Sequence, residues 1–318
     1  MSESRNDYDP KAYNPEFKAE YLAPKHWGTW IALLLGAPIT LLPNRARAAI
    51  ARFVAKKMTK KQRGSVQKAR INLSLCFPEK SDAEREQILE SCLVTAGTFL
   101  LGFPAISLRS KKWLERHSKI IGLEHLQKLH EEKQSAILLV PHSWAIDIPA
   151  ILLASRGLPV SAMANSQKNP LTDWLMHKQR VQYGGRVYDR SGGIKPFIKS
   201  VKDGYLGYYL PDQDHGPEQS VFVDFFATEK ATLPGLGKLA KVSRAKIVPT
   251  FASYNVETGQ YEIEIKPPMA DFSGDELEDA RAMNVVVEEF VTPKPEQYMW
   301  ILKLLKTRRD GNDPYVGY

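Results

Sequence analysis

The most informative hydrophobic pattern in the chain is a short apolar run that ends at a group of polar residues. Residues 135–141, SAILLVP, have the length and the branched side chains of a buried β-strand. The next apolar run begins near Pro149, a residue suited to the first turn of a helix. His142 and Asp147 lie between the two runs. Because α/β folds place their chemistry at the carboxyl ends of strands, this junction is the first candidate site.

Elsewhere the hydrophobic pattern alternates between strands and helices. Strands are expected at 205–210, 221–226, 246–251 and 261–265, and helices at 81–101, 170–182, 234–243 and 275–291. The helix 81–101 opens with a capping box formed by Ser81 and Glu84. This order predicts an α/β fold: one domain over residues 44–318, with a mixed central sheet flanked by helices.

A segment near the start of the chain is apolar in a different way. Residues 27–43, WGTWIALLLGAPITLLP, contain no charged side chain and follow a polar, weakly ordered lead-in at residues 1–26. Seventeen residues are at the short end for a membrane span, and Gly36 and Pro38 interrupt the run. We predict a membrane-anchoring helix here. A buried core helix is the alternative, and the choice between spanning the bilayer and dipping into one leaflet stays open.

Charge supports the membrane interpretation. The net charge is +8, and the stretch from Arg45 to Arg70 contains ten Lys or Arg residues and no acidic residue. Such a stretch attracts phosphates on nucleic acid or on a membrane, and the apolar neighbour at 27–43 favours anionic lipid. By the positive-inside rule, the chain after Pro43 is then cytoplasmic. Cys76 and Cys92 are too few for a disulfide framework, which fits a reducing compartment.

The pair His142 and Asp147 is the leading catalytic candidate. Histidine is the side chain most easily poised as a base near neutral pH, and a carboxylate can orient its ring and stabilise the imidazolium that forms. The structural alternative makes Asp147 a helix cap and His142 an ordinary loop residue. Spacing alone leaves both interpretations open.

Three arginines form a second candidate cluster. Arg180, Arg186 and Arg190 flank the Gly-Gly of the segment RVQYGGRVYDRSGG. Guanidinium groups at such a turn can hold a phosphate or an oxyanion. The alternative is that each is a solvated surface arginine.

A third cluster follows the strand expected at 205–210. Asp212, Asp214 and Gly216 lie in the segment PDQDHGP. They are candidates for substrate binding, and a metal site is a further possibility, although no additional oxygen ligands can be identified. The same residue types are also those that a tight turn requires.

Taken in order, these blocks resemble a known family. HSWAID, GGRVYDR, YYLPDQDHGP and IVPTF are similar to the blocks of membrane-associated glycerolipid acyltransferases. Longer segments resemble the late acyltransferases of lipid A biosynthesis: INLSLCFPEKS, VPHSWAIDIPA, GIKPFIKSV, GYYLPDQDHGPE, FVDFFATEKATLP and PEQYMWILKLLKTR. The segment ILKLLKTR resembles the corresponding segment of the myristoyl-transferring members. The resemblance extends from about Trp27 to Arg308.

The resemblance implies an enzyme of the bacterial inner membrane that works at its cytoplasmic face. Its donor would be an acyl chain, expected to be myristoyl, on acyl carrier protein. Its acceptor would be a 3-hydroxyl on an acyl chain of the Kdo-bearing lipid A precursor. The enzyme would also contact the anionic lipid of the inner membrane. No nucleic acid partner is expected. No cofactor is required, because a thioester is already activated.

The resemblance also assigns roles to residues. His142 and Asp147 fall on the family's catalytic pair, although many relatives carry glutamate at the second position. Arg180 or Arg190 falls in its arginine block, without an indication of which is essential. The third block, with Asp212, Asp214 and Gly216, is associated with the acceptor.

Three mechanistic and functional alternatives remain beside direct transfer in a ternary complex. A covalent route through Ser143 or a cysteine would need its own activated nucleophile. Ser143 neighbours His142, and adjacent side chains of an extended strand point to opposite faces. A non-catalytic lipid-binding protein and an acyl-thioester hydrolase are the other two classes.

Overall fold

A computed structural model describes residues 9–317, so residues 1–8 of the predicted lead-in and Tyr318 lie outside the described residues. The described part contains a large sheet and a separate hairpin. The strands of the large sheet are β1 (Ser118–Ile121), β2 (Ser135–Leu139), β3 (Val160–Ala164), β4 (Arg186–Asp189), β5 (Leu206–Tyr209), β8 (Ala245–Tyr254) and β9 (Tyr261–Ile265). The hairpin consists of β6 (Val221–Phe225) and β7 (Thr228–Thr232).

The large sheet is mixed, as predicted. Its strand order is β1-β9-β8-β2-β5-β3-β4. Five strands, in the order β8-β2-β5-β3-β4, run parallel to one another, whereas β9 is antiparallel to β8. The carboxyl ends of five strands therefore lie along one edge of the sheet.

Helices pack on both faces of the sheet. They are α1 (Trp27–Gly36), α2 (Asn44–Met58), α3 (Gly64–Cys76), α4 (Asp82–Gly102), α5 (Ala105–Leu108), α6 (Lys111–Arg116), α7 (Leu123–Glu131), α8 (Ile148–Ser155), α9 (Pro170–Arg180), α10 (Lys195–Lys202), α11 (Gly235–Ser243) and α12 (Glu276–Val291). The capping box at Ser81 and Glu84 is present at the start of α4. The α/β prediction is therefore confirmed.

The central strand β2 shows why this sheet forms the core. Ile137, Leu138 and Leu139 are all fully buried. Leu138 belongs to one hydrophobic cluster, while Ile137 and Leu139 belong to another. Successive side chains of a strand point to opposite faces, so β2 is covered on both faces, as is usual for parallel sheets.

Several strands had no clear signal in the sequence. β1, β3 and β4 are four or five residues long, and β4 lies inside the block that we considered as an arginine cluster. β7 lies close behind β6 and is joined to it by a two-residue turn. Short strands of this kind are stabilised by their neighbours in the sheet more than by their own sequence.

The predicted anchor at residues 27–43 is a short helix followed by a tighter one. α1 has ten residues, and a 3₁₀-helix at Ala37–Leu41 follows it. The one described helix that is long and apolar enough to cross a membrane is Asp82–Leu108, and 56% of its most apolar window is buried inside the fold. We therefore assign Asp82–Leu108 to the protein core.

Residues 9–26 pack against the domain. Tyr188 donates a hydrogen bond to Asp9, Tyr13 donates one to Asp173 of α9, and the ring of Phe17 contacts Trp174. α1 continues from this segment, and Asn169 at the start of α9 donates a hydrogen bond to Thr29. The lead-in thus connects α1 to the side of the domain that carries α9.

Candidate active site

His142 lies directly after β2 and is bonded to a carboxylate that follows β5. The two strands are parallel neighbours, with Leu139 opposite Tyr209. His142 and Asp212 therefore meet at the same edge of the sheet. The His142 Nδ1 atom forms a hydrogen bond with Asp212 Oδ1, and the His142 backbone N–H donates to Oδ2 at 2.7 Å. Both oxygens of one carboxylate therefore position one histidine.

The surroundings keep this carboxylate ionised. Asp212 is 1% exposed. Burial by itself would raise the pKa of Asp212, but the His142 charge and the hydrogen bonds from its ring and backbone lower the pKa below its ordinary value. The hydroxyl of Tyr298 also faces this group, and burial together with the Asp212 charge raises the pKa of Tyr298. A neutral imidazole bonded this way donates its Nδ1–H, which leaves Nε2 as the basic nitrogen.

The C-terminal segment after α12 holds the histidine from the other side. The Met299 backbone N–H donates to the His142 carbonyl at 2.9 Å, and the Trp144 N–H donates to Gln297 at 3.2 Å. Ser143 forms an antiparallel bridge with Tyr298. Sequence reasoning did not place these residues at the site, because no local pattern connects positions so far apart in the chain. Ser143 is fully buried in this bridge, which does not favour it as a nucleophile.

The predicted contact between Asp147 and His142 requires a correction. Asp147 accepts hydrogen bonds from Arg180, at 2.9 Å from Nε and 3.4 Å from Nη2. The partner of the His142 Nδ1 atom is Asp212. Asp147 lies at the N-cap of α8, but its side chain makes no capping hydrogen bond. Nearness in the chain does not decide the contact, because the pairing of β2 with β5 brings Asp212 to His142, while Asp147 bonds to Arg180 of α9.

The three predicted arginines separate into different environments. Arg180 pairs with Asp147, as described above. The Arg186 guanidinium lies 3.7 Å from Asp9 and 3.8 Å from Asp203. These contacts are with carboxylates of the chain itself, although Arg186 also lines the cavity beside His142. Its role in binding substrate stays a prediction.

Arg190 differs from the other two arginines. Among residues 9–317, its guanidinium has no ion pair or hydrogen-bond partner. It lies in the 3₁₀ turn that follows β4, and its charge acts on Tyr209 and His215. A partly buried guanidinium that faces the site without an internal carboxylate can bind an external anion.

The third cluster has one member at the site and two that shape the loop. Asp214 accepts hydrogen bonds from the Thr307 N–H at 2.7 Å, from the Thr307 hydroxyl at 2.8 Å and from the Gly216 N–H at 2.9 Å. Gly216 has a φ of 86°, which favours glycine. Asp214 and Gly216 therefore join the loop after β5 to the C-terminal segment, while Asp212 holds His142. Neither aspartate presents a carboxylate without a partner, as an open metal site would require.

A cavity of about 360 Å³ opens beside His142. Its charged and titratable lining includes His142, Asp147, Arg180, Arg186 and Arg190. The rest of its wall is mostly apolar. The apolar side chains include Ile146 and Ala150 near α8, Val160, Ala162 and Met163 on β3, Tyr208 and Leu210 at the end of β5, and Met299 and Leu302 in the C-terminal segment. Three larger cavities in the described part of the chain, of about 610, 600 and 420 Å³, are lined by neither His142 nor Asp212.

Fold and site together define a class of protein. A His–Asp pair at the carboxyl edge of a mainly parallel sheet, next to an apolar cavity rimmed by arginines, can activate a hydroxyl or water for attack on an acyl group. The family comparison narrows this class. Residues 14–307 match the family model described as bacterial lipid A biosynthesis acyltransferase, and the chain belongs to this family.

Individual relatives are similar in sequence to this protein over nearly its whole chain. The lipid A biosynthesis myristoyltransferase of Escherichia coli strain K12 is 46% identical over 95% of this chain and 94% of its own length. A lipid A biosynthesis acyltransferase of Haemophilus influenzae is 45% identical over 95% of each chain. The lauroyltransferase of E. coli K12 is 30% identical over 93% of this chain and 97% of its own. The protein is therefore an acyltransferase enzyme, as the sequence motifs predicted.

Proposed function

We propose that the protein transfers a myristoyl group from acyl carrier protein to a 3-hydroxyl of an acyl chain on the Kdo-bearing lipid A precursor. The observation that carries the proposal is the His142–Asp212 pair facing a cavity with an apolar wall and a free guanidinium. The higher identity to the myristoyltransferase, 46% against 30% for the lauroyltransferase, supports the choice of acyl chain.

His142 acts as the general base in this mechanism. A secondary alcohol is a poor nucleophile, so Nε2 removes its proton as the oxygen attacks the thioester carbonyl. The C–O bond forms, the C–S bond of the tetrahedral intermediate breaks, and the imidazolium returns its proton to the leaving thiolate. Asp212 holds the Nδ1–H tautomer and stabilises the transient imidazolium. The transfer is direct, with donor and acceptor bound together.

Arg190 supplies the charge that the acceptor requires. The precursor carries phosphates, and a guanidinium binds a phosphate with two parallel hydrogen bonds. Arg180 is already paired with Asp147, so we assign it to positioning that carboxylate at the cavity rim. This division of roles separates two arginines that the sequence alone could not distinguish.

The apolar wall accommodates the acyl chain. Ala150, Ala162 and Met163 present small or flexible side chains to the cavity. Burying methylene groups of the donor against such a wall contributes about 0.8 kcal/mol for each group. The wall therefore provides the affinity for the acyl chain and sets its length.

A membrane surface is the proposed location of this reaction. α1 exposes Trp27, Ile31, Leu34 and Leu35. Ten residues of α-helix extend about 15 Å, roughly half of a hydrocarbon core of about 30 Å, so α1 fits one leaflet. The basic helix α2 follows and would contact anionic lipid. We propose a monotopic attachment to the cytoplasmic leaflet of the inner membrane.

Replacing the base tests the mechanism. His142→Ala should reduce transfer from acyl carrier protein to the precursor by about 10²–10⁴-fold, the usual contribution of a general base. The exposed His130 on α7 offers a matched control, and His130→Ala should transfer at the wild-type rate. Activity of His142→Ala within a few-fold of the wild type would contradict the mechanism.

Two measurements separate the proposal from its alternatives. Mass spectrometry of lipid A from cells with and without the gene should show a difference equal to one myristoyl group. A thioesterase would release free fatty acid in the presence of the acceptor, and a lipid-binding protein would retain donor and acceptor without turnover. The acylated acceptor as the main product supports the acyltransferase.

A further inference from the structure

Acyl transfer creates a negative charge on an oxygen atom beside His142. When the acceptor hydroxyl attacks the thioester, the carbonyl oxygen becomes an oxyanion, and enzymes stabilise such an oxyanion with hydrogen-bond donors. His142 does not supply this bond in the proposed mechanism, because its Nδ1 is bonded to Asp212 and its Nε2 takes the proton of the hydroxyl. The donor must therefore come from another residue of the cavity wall.

Several side-chain donors of this cavity are already engaged within the chain. Arg180 donates to Asp147, and the Tyr208 hydroxyl donates to a backbone carbonyl at 2.6 Å. The Arg186 guanidinium lies beside two carboxylates of the chain. Arg190 is the charged donor that remains, and the acceptor phosphate occupies it in the proposed function. A different kind of donor is needed for the oxyanion.

Three carboxamide side chains also line the cavity. They are Asn165, Gln167 and Gln213. Asn165 and Gln167 belong to the loop between β3 and α9 and are exposed, whereas Gln213 follows β5 and is half-buried. A hydrogen bond to an oxyanion is strongest where water is excluded. Gln213 is therefore the best placed of the three.

The neighbours of Gln213 in the chain hold it beside the base. On one side, Asp212 bonds both the ring and the backbone N–H of His142. On the other side, Asp214 accepts the N–H and the hydroxyl of Thr307, at 2.7 and 2.8 Å. Consecutive Cα atoms are about 3.8 Å apart, so Gln213 begins one residue from the carboxylate that positions His142. Both ends of this short segment are therefore anchored.

The carboxamide of Gln213 has no competing partner in the described part of the chain. No hydrogen bond joins it to another described group, and its side chain lines the cavity between the two anchored aspartates. A carboxamide has two N–H donors. A donor that is held in place and unpaired can bond a developing oxyanion with little reorganisation.

We propose that Gln213 is a catalytic residue, whose carboxamide N–H stabilises the oxyanion of the tetrahedral intermediate. The inference rests on the proposed transfer through His142. As the hydroxyl oxygen bonds to the thioester carbon, the C=O electron pair moves to the oxygen that accepts from Gln213, and Nε2 of His142 holds the proton. When the C=O bond forms again, the C–S bond breaks and the thiolate takes that proton. Gln213 itself neither gains nor loses a proton.

Two substitutions at Gln213 test the donor. Gln213→Ala removes the carboxamide, and Gln213→Glu keeps its shape but replaces the N–H donor by a carboxylate oxygen. Both should lower the single-turnover rate of transfer about 10²–10³-fold, the usual effect of losing one oxyanion donor. KM for the acyl donor and for the lipid acceptor should stay close to the wild-type values, because the bond forms only as the charge develops.

Hydrolysis of the acyl donor provides a second readout. Slow attack by water on the thioester, measured without the acceptor, passes through the same kind of oxyanion. Gln213→Ala should therefore reduce this hydrolysis by about the same factor as it reduces transfer. A residue that only binds the acceptor would leave the hydrolysis unchanged.

A matched control removes a glutamine from the same loop. Gln219 lies in the 3₁₀ turn Pro217–Gln219 and is exposed. Gln219→Ala should transfer at the wild-type rate. Circular dichroism of each variant, in the detergent used for the assay, identifies any loss of fold. If Gln213→Ala does not fold, the isosteric Gln213→Glu decides the result.

The outcomes distinguish this inference from the proposed function. If His142→Ala transfers normally, the general-base mechanism itself is wrong. If His142→Ala is inactive but folded Gln213 variants keep the wild-type kcat, another group stabilises the oxyanion and the inference fails. An unchanged kcat with a raised KM for the acceptor would also overturn it, because Gln213 would then bind the acceptor. A lower kcat with unchanged KM values and an equal fall in donor hydrolysis supports the inference.

Discussion

Replacing Asp212 by asparagine changes one atom of the carboxylate and should disable the base. Asp212 accepts the His142 backbone N–H through one oxygen and bonds Nδ1 through the other. If the asparagine oxygen continues to accept from the backbone, its NH₂ group faces Nδ1. The ring must then accept at Nδ1 and carry its proton on Nε2, where the substrate hydroxyl should be deprotonated.

The size of the effect follows from the burial of the pair. Asp212 is 1% exposed, so water cannot replace the lost charge. A general base contributes about 10²–10⁴-fold to such a reaction, and the wrong tautomer together with the lost support for the imidazolium removes that contribution, so kcat should fall by about that factor.

The assay follows acyl transfer from acyl carrier protein under single-turnover conditions, so that chemistry is separated from product release. The control is Asp271→Asn, whose side chain is 80% exposed and pairs with Lys246. In a His142→Ala background, Asp212→Asn should cost little more, because both residues act as one unit. A folded Asp212→Asn enzyme with kcat within threefold of the wild type would refute the assignment of Asp212.

Three further perturbations address the other parts of the proposal. Arg190→Ala should raise KM for the lipid acceptor about tenfold with little change in kcat, because phosphate binding is lost, and Arg190→Lys should restore part of the affinity. A fall in kcat alone would indicate that Arg190 stabilises the oxyanion instead. Ala162→Leu fills part of the cavity beside Tyr208 and should shift the preferred donor from myristoyl towards shorter acyl chains, as measured by competition between acyl donors. An unchanged preference would mean that the acyl chain binds outside this cavity. The double variant Leu34→Glu, Leu35→Glu places charges at two positions of α1 whose side chains are 71% and 70% exposed, and its affinity for anionic vesicles in a sedimentation assay should fall about tenfold or more. Equal binding by the variant and the wild type would exclude α1 from the membrane contact.

The elements with local signals could be predicted from the sequence. β2 is a continuous apolar run, and α4 begins at a capping box, so both were identified within a few residues of their observed bounds. His142 was placed correctly after a strand, because a buried strand that ends at polar residues is a local pattern. β3 and β4 were missed, since their short segments form strands only beside neighbours in the sheet.

The partners of the site residues could not be predicted in this way. Nearness in the chain predicts Asp147 as the partner of His142, whereas the observed partner, Asp212, is 70 positions away. The contact depends on β2 and β5 being neighbours, and no local feature of either strand encodes strand order. The complete burial of Lys230 in β7 could not be predicted either, because an isolated lysine between polar residues is usually solvated.

The sequence by itself determined the chemical groups, the order of the main elements and the family to which the protein belongs. Only the tertiary structure decided which carboxylate bonds the histidine and which of the cavity's arginines are paired with carboxylates of the chain itself. The physical reason is that residue type and hydrophobic period act over one or two turns of chain. Strand order, in contrast, results from burying β2 on both faces of the sheet, and this long-range packing brings His142 and Asp212 together.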